Sequence, residues 1–482
     1  MSESRLIAVT FWALFAAGIA LRIVLLFTSV WQLDSDNAVV YLISKHISEG
    51  DLAWFFWGQQ YGGTLLEFAA GTGMLVFGPH VEVLGVTSIL VVAGCTLVVR
   101  HVATLAFDRR TGYVAATLFW FSGFWMLHVS ISDPGFYGPS VLLGLGSVAI
   151  ALRPAMRHPI VQWLLAGLLA GLALWQSPMG FLLALPGLVV LIVRQPVWQR
   201  LLAGVGAFVV GALPYILLTV LPADHPAPNR FGGWGTSIVN LGGMFTAVLA
   251  STFGAENAIV SALVGLLCLG LLVVLAVLAA RRRTAVAGVL VVGAVLEVLL
   301  IAPLAGIVLS ATDFRYSFFL LPALAISAGW LLTRIRLLGF AAMLLSVVLT
   351  ISQIYVVFPV PQFNTQNRYI IGDISALGDY LQSHHVQAAL GDYWLAYAVT
   401  AETNEQVTVG ALAINRRYVP YEEAAVVQNP VVLIVYAGAT NDEALRKNTQ
   451  KFPPSTRVEV SGFAIYTFAQ PFSPFAYSWD LY

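Results

Sequence analysis

Residues 6–30 read LIAVTFWALFAAGIALRIVLLFTSV, with Arg22 as the single charged side chain in the run. A helix needs about 20 apolar residues to cross the ~30 Å hydrocarbon layer of a bilayer, so this run is long enough to span it. No small-residue cleavage site precedes Trp31. The run therefore predicts an uncleaved membrane anchor rather than a signal peptide.

The whole chain shares this apolar character. Of its 482 residues, 59% are hydrophobic and 10% are charged, whereas an ordinary soluble domain carries roughly 25% charged residues. The formal net charge is zero, so no basic field predicts a nucleic-acid partner. The composition excludes a soluble globular protein.

Ten further apolar runs follow the first, and in lipid such runs form helices because the backbone polar groups must be satisfied internally. With the N-terminus in the cytoplasm, thirteen of the 24 Lys and Arg residues fall in cytoplasmic turns, against Lys45, Arg230 and Arg315 in the external loops between spans. This asymmetry follows the positive-inside rule and predicts a multi-pass protein of the cell (inner) membrane. The eleven predicted spans lie near residues 6–28, 82–100, 112–130, 138–152, 160–176, 178–193, 201–221, 258–280, 285–309, 316–333 and 337–357.

The composition changes at residue 358. The tail 358–482 holds 18 charged residues in 125, against 30 in the preceding 357. Short β runs at Val431–Tyr436 and Phe463–Phe468 alternate in it with helical stretches at Ile374–Ser383 and Asn441–Lys451. We therefore predict a transmembrane domain at 1–357 and a small extracytoplasmic α/β domain at 358–482.

Two other features give structural expectations. The external loop 222–257 is rich in Pro and Gly, and long loops of this kind often act as lids over a site. Arg22 and Glu297 are ionisable groups inside predicted spans, where unpaired charges are costly. We expect these two to form a buried ion pair that holds the helices together.

The first external loop, residues 29–81, carries two carboxylates just beyond the first span. It contains Leu33-Asp34-Ser35-Asp36-Asn37-Ala38, then Ser48-Glu49-Gly50, then Gly58-Gln59-Gln60-Tyr61-Gly62-Gly63. A carboxylate held where water and bilayer meet can face both a lipid headgroup and a soluble acceptor. The structural alternative is a solvated turn in which the two aspartates act as Asx caps.

This pattern resembles the GT-C superfamily of membrane glycosyltransferases, which includes protein O-mannosyltransferases and the lipid A aminoarabinose transferase. The tail segment Asp392-Tyr393-Trp394-Leu395-Ala396-Tyr397 is also similar to the tails of bacterial relatives. The resemblance implies that residues 1–357 form the catalytic domain, that Asp36 is the general base of an inverting transfer, and that the donor is a polyprenyl-phosphate sugar. Position 37 is Asn where many relatives have Glu, so any role of that Glu in metal or acceptor binding would be weakened or moved to Asp34.

The resembling family often has Arg-Tyr at the outer start of the tenth span, where this chain has Arg315-Tyr316. An arginine presents a planar fork suited to phosphate, so the resemblance implies a donor-phosphate site there, with Lys45 as a weaker candidate. The structural alternative is an interfacial arginine that pairs with Asp313.

Several residues of the first loop are candidates for the sugar or acceptor cavity. Aromatic residues at a membrane interface also serve as plain anchors, and Glu67 could equally lie on a solvated face of a helix predicted at Leu65–Phe77. The candidates are Asn37, Trp57, Gln59, Tyr61 and Glu67.

The chain has no GxGxxG, Walker, HExxH or CxxC motif, so no nucleotide cofactor or structural zinc is predicted. The Asp34 and Asp36 pair could bind a divalent cation or none. The expected partners are a polyprenyl-phosphate sugar, membrane lipid, and a glycan, lipid or protein acceptor. The alternatives are a transporter or flippase of a lipid-linked sugar, a polymerase or ligase of surface polysaccharide, and a non-catalytic GT-C relative.

Overall fold

The chain folds into two compact units in the computed structural model. Unit 1 comprises Met1–Phe27, Gln60–Gly73 and Glu82–Val356, and unit 2 comprises Thr28–Gln59, Met74–Val81 and Val357–Tyr482. This division differs from the sequence boundary at 357/358, because two pieces of the first loop fold with the tail. The structure describes residues 3–28, 33–59, 61–132, 135–154, 156–220, 233–255, 257–282, 284–304, 307–357, 373–412, 416–447, 452–470 and 473–479.

Most of the described chain is helical. The helices are α1 (Glu3–Leu26), α2 (Ser35–Glu49), α3 (Leu65–Phe77), α4 (Val81–Ala106), α5 (Arg109–Trp120), α6 (Phe124–Ile131), α7 (Tyr137–Ala151), α8 (Pro159–Gln176), α9 (Pro178–Arg194), α10 (Trp198–Val220), α11 (Gly233–Gly243), α12 (Ala250–Thr252), α13 (Ala258–Arg282), α14 (Ala285–Leu304), α15 (Ser317–Leu332), α16 (Leu338–Val357), α17 (Ile374–Ser383), α18 (Tyr393–Glu402), α19 (Val419–Val427) and α20 (Thr440–Lys447). A π-helix at Met244–Leu249 separates α11 from α12, and a 3₁₀ turn at Ala311–Tyr316 precedes α15.

A helix occupies each of the eleven predicted spans. Among the described residues, seven are long and apolar enough to cross a bilayer, and the bent pair α5 and α6 makes eight. The helices α7, α9 and α16 are apolar but fall below that test. The multi-pass α-helical architecture is therefore confirmed, although length and composition alone support fewer spans than eleven.

The span predicted at 112–130 is broken. Helices α5 and α6 meet at an angle of 75°, and Gly123 between them has a φ of +123° that favours glycine. The side chain of Gln353 bonds at the break, where its Oε1 accepts from Phe124 N at 2.6 Å, and its Nε2 donates to Phe253 O, just after α12, at 3.1 Å.

Part of the predicted lid loop is helical. Residues 221–232, with all three prolines of that stretch and Arg230, lie outside the described residues, but α11, the π-helix and α12 follow from Gly233 to Thr252. The prediction of a loop over 222–257 is therefore wrong for this second half. Asn240 fixes it within unit 1, because its amide donates to Ala302 O and Ile307 O and accepts from Leu309 N.

The expected ion pair between Arg22 and Glu297 is not formed. The Arg22 guanidinium donates to Ser130 Oγ at 2.5 Å and to Trp120 O at 2.8 Å, and it lies 3.5 Å from the Trp120 ring centroid. The Trp120 carbonyl is at the C-terminus of α5, where helix carbonyls lack an intrahelical partner. The break between α5 and α6 thus frees the Trp120 carbonyl, and Arg22 donates to this carbonyl instead of pairing with Glu297.

Unit 2 contains the predicted α/β domain. Its five strands are β1 (Ala388–Gly391), β2 (Thr408–Ala411), β3 (Val431–Tyr436), β4 (Ser455–Val460) and β5 (Phe463–Phe468), in the order β2-β1-β3-β5-β4. Strand β1 pairs parallel with β2 and β3, whereas β5 pairs antiparallel with β3 and β4. All six residues of β3 are buried, as expected of a central strand that is covered on both faces.

Helix α2 is the part of the first loop that the sequence did not predict. Asp34 is its N-cap, because its carboxylate accepts from Asn37 N, and Gly50 ends it in the left-handed conformation with a φ of +99°. The run from Ala38 to Ile43 is wholly buried. This burial places Asp36 in the first turn of a packed helix rather than in a solvated turn.

Candidate functional site

The Asp36 carboxylate is half-buried in the first turn of α2. Its Oδ1 accepts a hydrogen bond from the hydroxyl of Tyr393 at 2.6 Å. Burial, together with the nearby Asp36 charge, raises the pKa of the Tyr393 phenol well above its ordinary value, so the phenol stays protonated and donates. An aspartate from the first loop and a tyrosine from the tail thus meet within unit 2.

Asp34 and Asn37 have different surroundings from Asp36. Asp34 serves as the helix cap, which is the Asx-cap alternative, and this carboxylate is committed to the backbone of α2. Asn37 is buried at 4% exposure, and its Oδ1 has no hydrogen-bond partner among the described residues.

Lys45 lies in an ion-pair network. Its ammonium contacts Glu49 at 2.9 Å and also Glu405, while His46 Nε2 lies 2.9 Å from Glu405 Oε1. Tyr421 donates a further hydrogen bond to Glu405 at 2.6 Å. Both neighbouring carboxylates thus neutralise the charge of Lys45, and its role as a weaker phosphate ligand stays a prediction.

Three members of this network have the ligand atoms of a metal site. One ligand atom each from His46, Glu49 and Glu405 lies within 4.8 Å of the others. The Lys45 ammonium already contacts both carboxylates, so a divalent ion would compete with a cation of the protein itself. His46, Glu49 and Glu405 are therefore a possible metal-binding group in which Lys45 is a competing cation, and the cation site at Asp34 and Asp36 stays a prediction.

Trp57 is part of an aromatic cluster. Its indole stacks on Tyr418 with ring centroids 4.2 Å apart, and it meets His46 edge-on at 4.9 Å. Gln59 is half-buried, and its backbone N donates to Phe56 O in the same turn. Through this stacking, Trp57 packs the first loop against the tail.

In unit 1, tyrosine side chains lie near the Arg315 guanidinium. The Arg315 guanidinium pairs with Asp313 at 3.1 Å and lies 5.3 Å from the Tyr316 ring centroid. The ion pair with Asp313 is the one expected if Arg315 is a structural, interfacial arginine. The Tyr137 hydroxyl interacts electrostatically with three nearby side chains, those of Arg315, Tyr316 and Tyr61. The Arg315 side chain keeps 34% exposure, so the group combines a partly accessible cation with hydroxyl donors.

Glu67 and Tyr61 also belong to unit 1. Glu67 is buried at 1% exposure in the first turn of α3, so the alternative of a solvated face is wrong. The Tyr61 ring meets Phe136 edge-on at 5.8 Å. Helix α3 has the predicted bounds.

The paired glycines after Tyr61 are required by close packing. Gly62 has a φ of +83°, and a Cβ there would lie 2.6 Å from the Phe136 ring. Gly63 donates its N–H to Gln176 O at 3.1 Å, and a Cβ there would lie 2.7 Å from Trp175 O. Neither position has room for a side chain.

Gly63→Ala is expected to destabilise the protein by about 1–3 kcal/mol, as overpacking of a close contact does. Thermal unfolding of the purified protein in detergent measures this. The matched control is Gly206→Ala in α10, where an added Cβ meets nothing within 4 Å and alanine is favoured in a helix. Equal melting temperatures for the two variants would contradict the packing at Gly63.

Sequence reasoning missed Arg417 entirely and quoted Tyr393 only as part of a family-like segment. Arg417 Nε donates to the Tyr393 hydroxyl oxygen at 3.3 Å, which places a guanidinium two hydrogen bonds from Asp36. Gly58, with a φ of +67°, allows this approach, because a Cβ there would lie 2.7 Å from Arg416 O. The glycine in Trp57-Gly58-Gln59 was the available signal that another segment packs closely on the first loop.

No protein-family model and no curated protein matches this chain. Among solved structures, ArnT from Cupriavidus metallidurans in the apo state has a TM-score of 0.62 and 14% identity, covering 95% of this chain and 98% of that chain. The same protein bound to undecaprenyl phosphate has a TM-score of 0.61 and 14% identity, covering 94% and 97%. The oligosaccharyltransferase from Archaeoglobus fulgidus in the apo form has a TM-score of 0.51 and 12% identity, covering 83% of this chain and 64% of that chain.

These neighbours are members of the GT-C superfamily. The agreement with ArnT extends over nearly the full length of both chains and includes the helical unit and the small sheet domain. The chain is therefore a multi-pass membrane protein with the GT-C fold.

Proposed function

We propose that this protein is a membrane glycosyltransferase that moves a monosaccharide from a polyprenyl-phosphate donor to a hydroxyl of an extracytoplasmic acceptor, with inversion. Asp36 is its general base. The observation that carries the proposal is the Asp36 carboxylate, half-buried and held by a protonated phenol. The fold shared with ArnT, one structure of which is bound to undecaprenyl phosphate, supports the donor class.

The proposed reaction needs one carboxylate. The acceptor oxygen bonds to the anomeric carbon while Asp36 takes its proton, and the bond between that carbon and the phosphate oxygen breaks with its electron pair on the phosphate. Positioned proton transfer of this kind contributes about 10²–10⁴-fold to the rate. Phosphate is already a good leaving group, so the protein must supply a cation for the developing charge rather than a second carboxylic acid.

We assign the donor phosphate to Arg315 and Tyr316, with Tyr61 and Tyr137 as neighbouring hydroxyl donors. Arginine suits phosphate because its planar fork donates two parallel hydrogen bonds. Asp313 orients the guanidinium through its ion pair, and Ser310 holds Asp313 in turn through its backbone N–H and hydroxyl.

Arg315→Ala is expected to raise KM for the donor about 10–100-fold, since hydrogen bonds to charged groups are worth about 1.5–3 kcal/mol. KM for the acceptor should stay near the wild-type value, and initial rates over a matrix of both substrates give the two constants.

The matched control is Arg334→Ala. Arg334 also pairs with an aspartate, Asp108, at 3.3 Å and also lies over an aromatic ring, that of Trp330, at 4.8 Å. Equal changes in both KM values, or the same change in the control, would mark Arg315 as a structural arginine.

One experiment separates the enzyme from its rivals. The purified protein is reconstituted in liposomes and incubated in turn with radiolabelled polyprenyl-phosphate mannose, arabinose and glucose, with and without candidate acceptors. Transfer or hydrolysis of one labelled sugar is expected. Label that crosses the bilayer still bound to lipid would indicate a flippase, and binding without bond cleavage would indicate a non-catalytic relative.

The proposed site lies outside the cytoplasm. The arginines concentrate in the turns that an internal N-terminus places in the cytoplasm, which supports an inner-membrane orientation with the C-terminal domain on the external face. The identity of the sugar and the class of acceptor follow from the labelled-donor experiment.

A further inference from the structure

The tail supplies two side chains beside Asp36 that the proposed reaction does not use. Tyr393, at the start of α18, is buried at 5% exposure and donates its hydroxyl proton to Asp36 Oδ1 at 2.6 Å. Arg417 Nε donates to the oxygen of the same hydroxyl at 3.3 Å. Two hydrogen bonds in series therefore connect the guanidinium to the carboxylate, and each polarises the other.

The residue before Asp36 fixes this arrangement from the other side. Ser35 is fully buried, its hydroxyl donates to Tyr393 O, and its oxygen accepts from Tyr397 N at 3.2 Å. The first turn of α2 is thus attached to the first turn of α18 at two adjacent residues. The distance from Asp36 to Tyr393 is set by this attachment and does not depend on the carboxylate bond alone.

Arg417 is held just as firmly. Its backbone N donates to the Tyr397 hydroxyl at 2.7 Å, its guanidinium lies 5.1 Å from the Phe56 ring centroid, and its backbone approaches Gly58 closely. The Arg417 guanidinium is therefore held at a fixed position beside the Tyr393 hydroxyl.

We propose that Tyr393 is a positioning residue for Asp36 and that Arg417 acts on Asp36 through the Tyr393 phenol, so that the C-terminal domain completes the catalytic base. The inference rests on the proposed function, in which Asp36 takes the acceptor proton. A hydrogen bond to Oδ1 fixes the rotation of the carboxylate and hence the direction of Oδ2. It also stabilises the ionised form, which is the form that accepts a proton.

Tyr393→Phe removes the hydroxyl and little else. We expect kcat to fall about tenfold and the acidic side of the pH–rate profile to move to higher pH by about one unit, because a hydrogen bond to a charged group is worth about 1.5–3 kcal/mol. KM for the donor should not change. Measurements use the full-length protein in liposomes with the labelled donor that proves active.

Tyr397→Phe is the matched control, one turn further along α18. Its hydroxyl accepts from Arg417 N and from Tyr418 N at 3.1 Å, so the variant loses tail packing. We expect a lower melting temperature and a movement of the acidic side clearly smaller than that of Tyr393→Phe, because the Tyr393 hydroxyl still donates to Asp36 and only the attachment of Arg417 is weakened. Burial raises the pKa of Asp392 to about 7, and this carboxyl remains in both variants, so its titration cannot produce a difference between them.

The outcomes separate the two proposals. An unmoved profile for Tyr393→Phe, or the same movement in Tyr397→Phe, overturns the positioning role. If Asp36→Asn is inactive while Tyr393→Phe behaves as wild type, the proposed function stands and this inference fails. An active Asp36→Asn removes both. Should Tyr393→Phe not fold, Arg417→Gln carries the test: a smaller movement in the same direction is expected, and none contradicts the relay.

Discussion

Asp36→Asn is expected to lower sugar transfer by about 10²–10⁴-fold, the contribution of a positioned proton acceptor. The amide has nearly the size of the carboxylate and can still accept from Tyr393, but it cannot take the proton of the acceptor hydroxyl. The negative charge near the N-terminus of α2 is worth only about 0.3–1 kcal/mol to stability. Transfer rates with the labelled donor and thermal unfolding of the same preparation measure both quantities.

Two aspartate variants test whether the loss belongs to Asp36. Asp379→Asn changes an exposed carboxylate on α17 of the same unit and should leave transfer unchanged. Asp34→Asn separates the two carboxylates of the motif, because asparagine is also a good helix cap and the fold is kept. A wild-type rate for Asp36→Asn, or an inactive Asp34→Asn, would move the base away from Asp36.

The elements that the sequence predicted best depend on local rules. The run 160–176 becomes α8 at Pro159–Gln176, since proline suits the first helical turn and lipid leaves the following apolar residues no other backbone solution. The strands Val431–Tyr436 and Phe463–Phe468 were predicted with their observed bounds, because continuous β-branched and aromatic runs favour a buried strand.

The partners of Asp36 could not be predicted in the same way. Tyr393 is 357 residues away in the chain, and no periodicity links a first-loop aspartate to a tail tyrosine. The absence of the predicted Arg22–Glu297 pair has a similar cause. The break at Gly123 frees the Trp120 carbonyl at the end of α5, and Arg22 donates to that carbonyl. Local pattern predicted the long apolar helices and the two strands, while packing between distant segments determined the site.

Glu405→Ala is expected to destabilise the protein by about 3 kcal/mol. Burial opposes ionisation of this carboxyl, but hydrogen bonds from His46, Lys45 and Tyr421 outweigh it and lower the pKa of Glu405 from 4.5 to about 2. Removal of one partner from a buried ion pair is destabilising by about 3–5 kcal/mol, and the lower end is expected here because Glu49 still contacts the Lys45 ammonium. Thermal unfolding of the full-length protein measures the loss.

The pH dependence of this stabilisation has a definite sign. Glu405 has a lowered pKa in the folded protein, so its contribution is present above pH about 4.5 and is lost as the pH falls towards 2. Burial opposes protonation of His46, but the Glu405 carboxylate outweighs it and raises the pKa of His46. The His46 contribution is therefore present below its ordinary value and is lost as the pH rises through the raised one. Glu405→Ala should remove both dependences together.

Two further variants distinguish charge pairing from packing in the Glu405 network. Glu402→Ala removes an exposed carboxylate from the last residue of α18, three residues before Glu405, and should leave the melting temperature unchanged. The double variant Lys45→Met with Glu405→Leu removes both charges and keeps the apolar volume, and such replacements of buried pairs are often neutral. Recovery of stability in the double variant shows that the cost of Glu405→Ala is the loss of one of the two carboxylates that neutralise the Lys45 ammonium. If the double variant is as unstable as Glu405→Ala, the network stabilises unit 2 through His46 and Tyr421 instead.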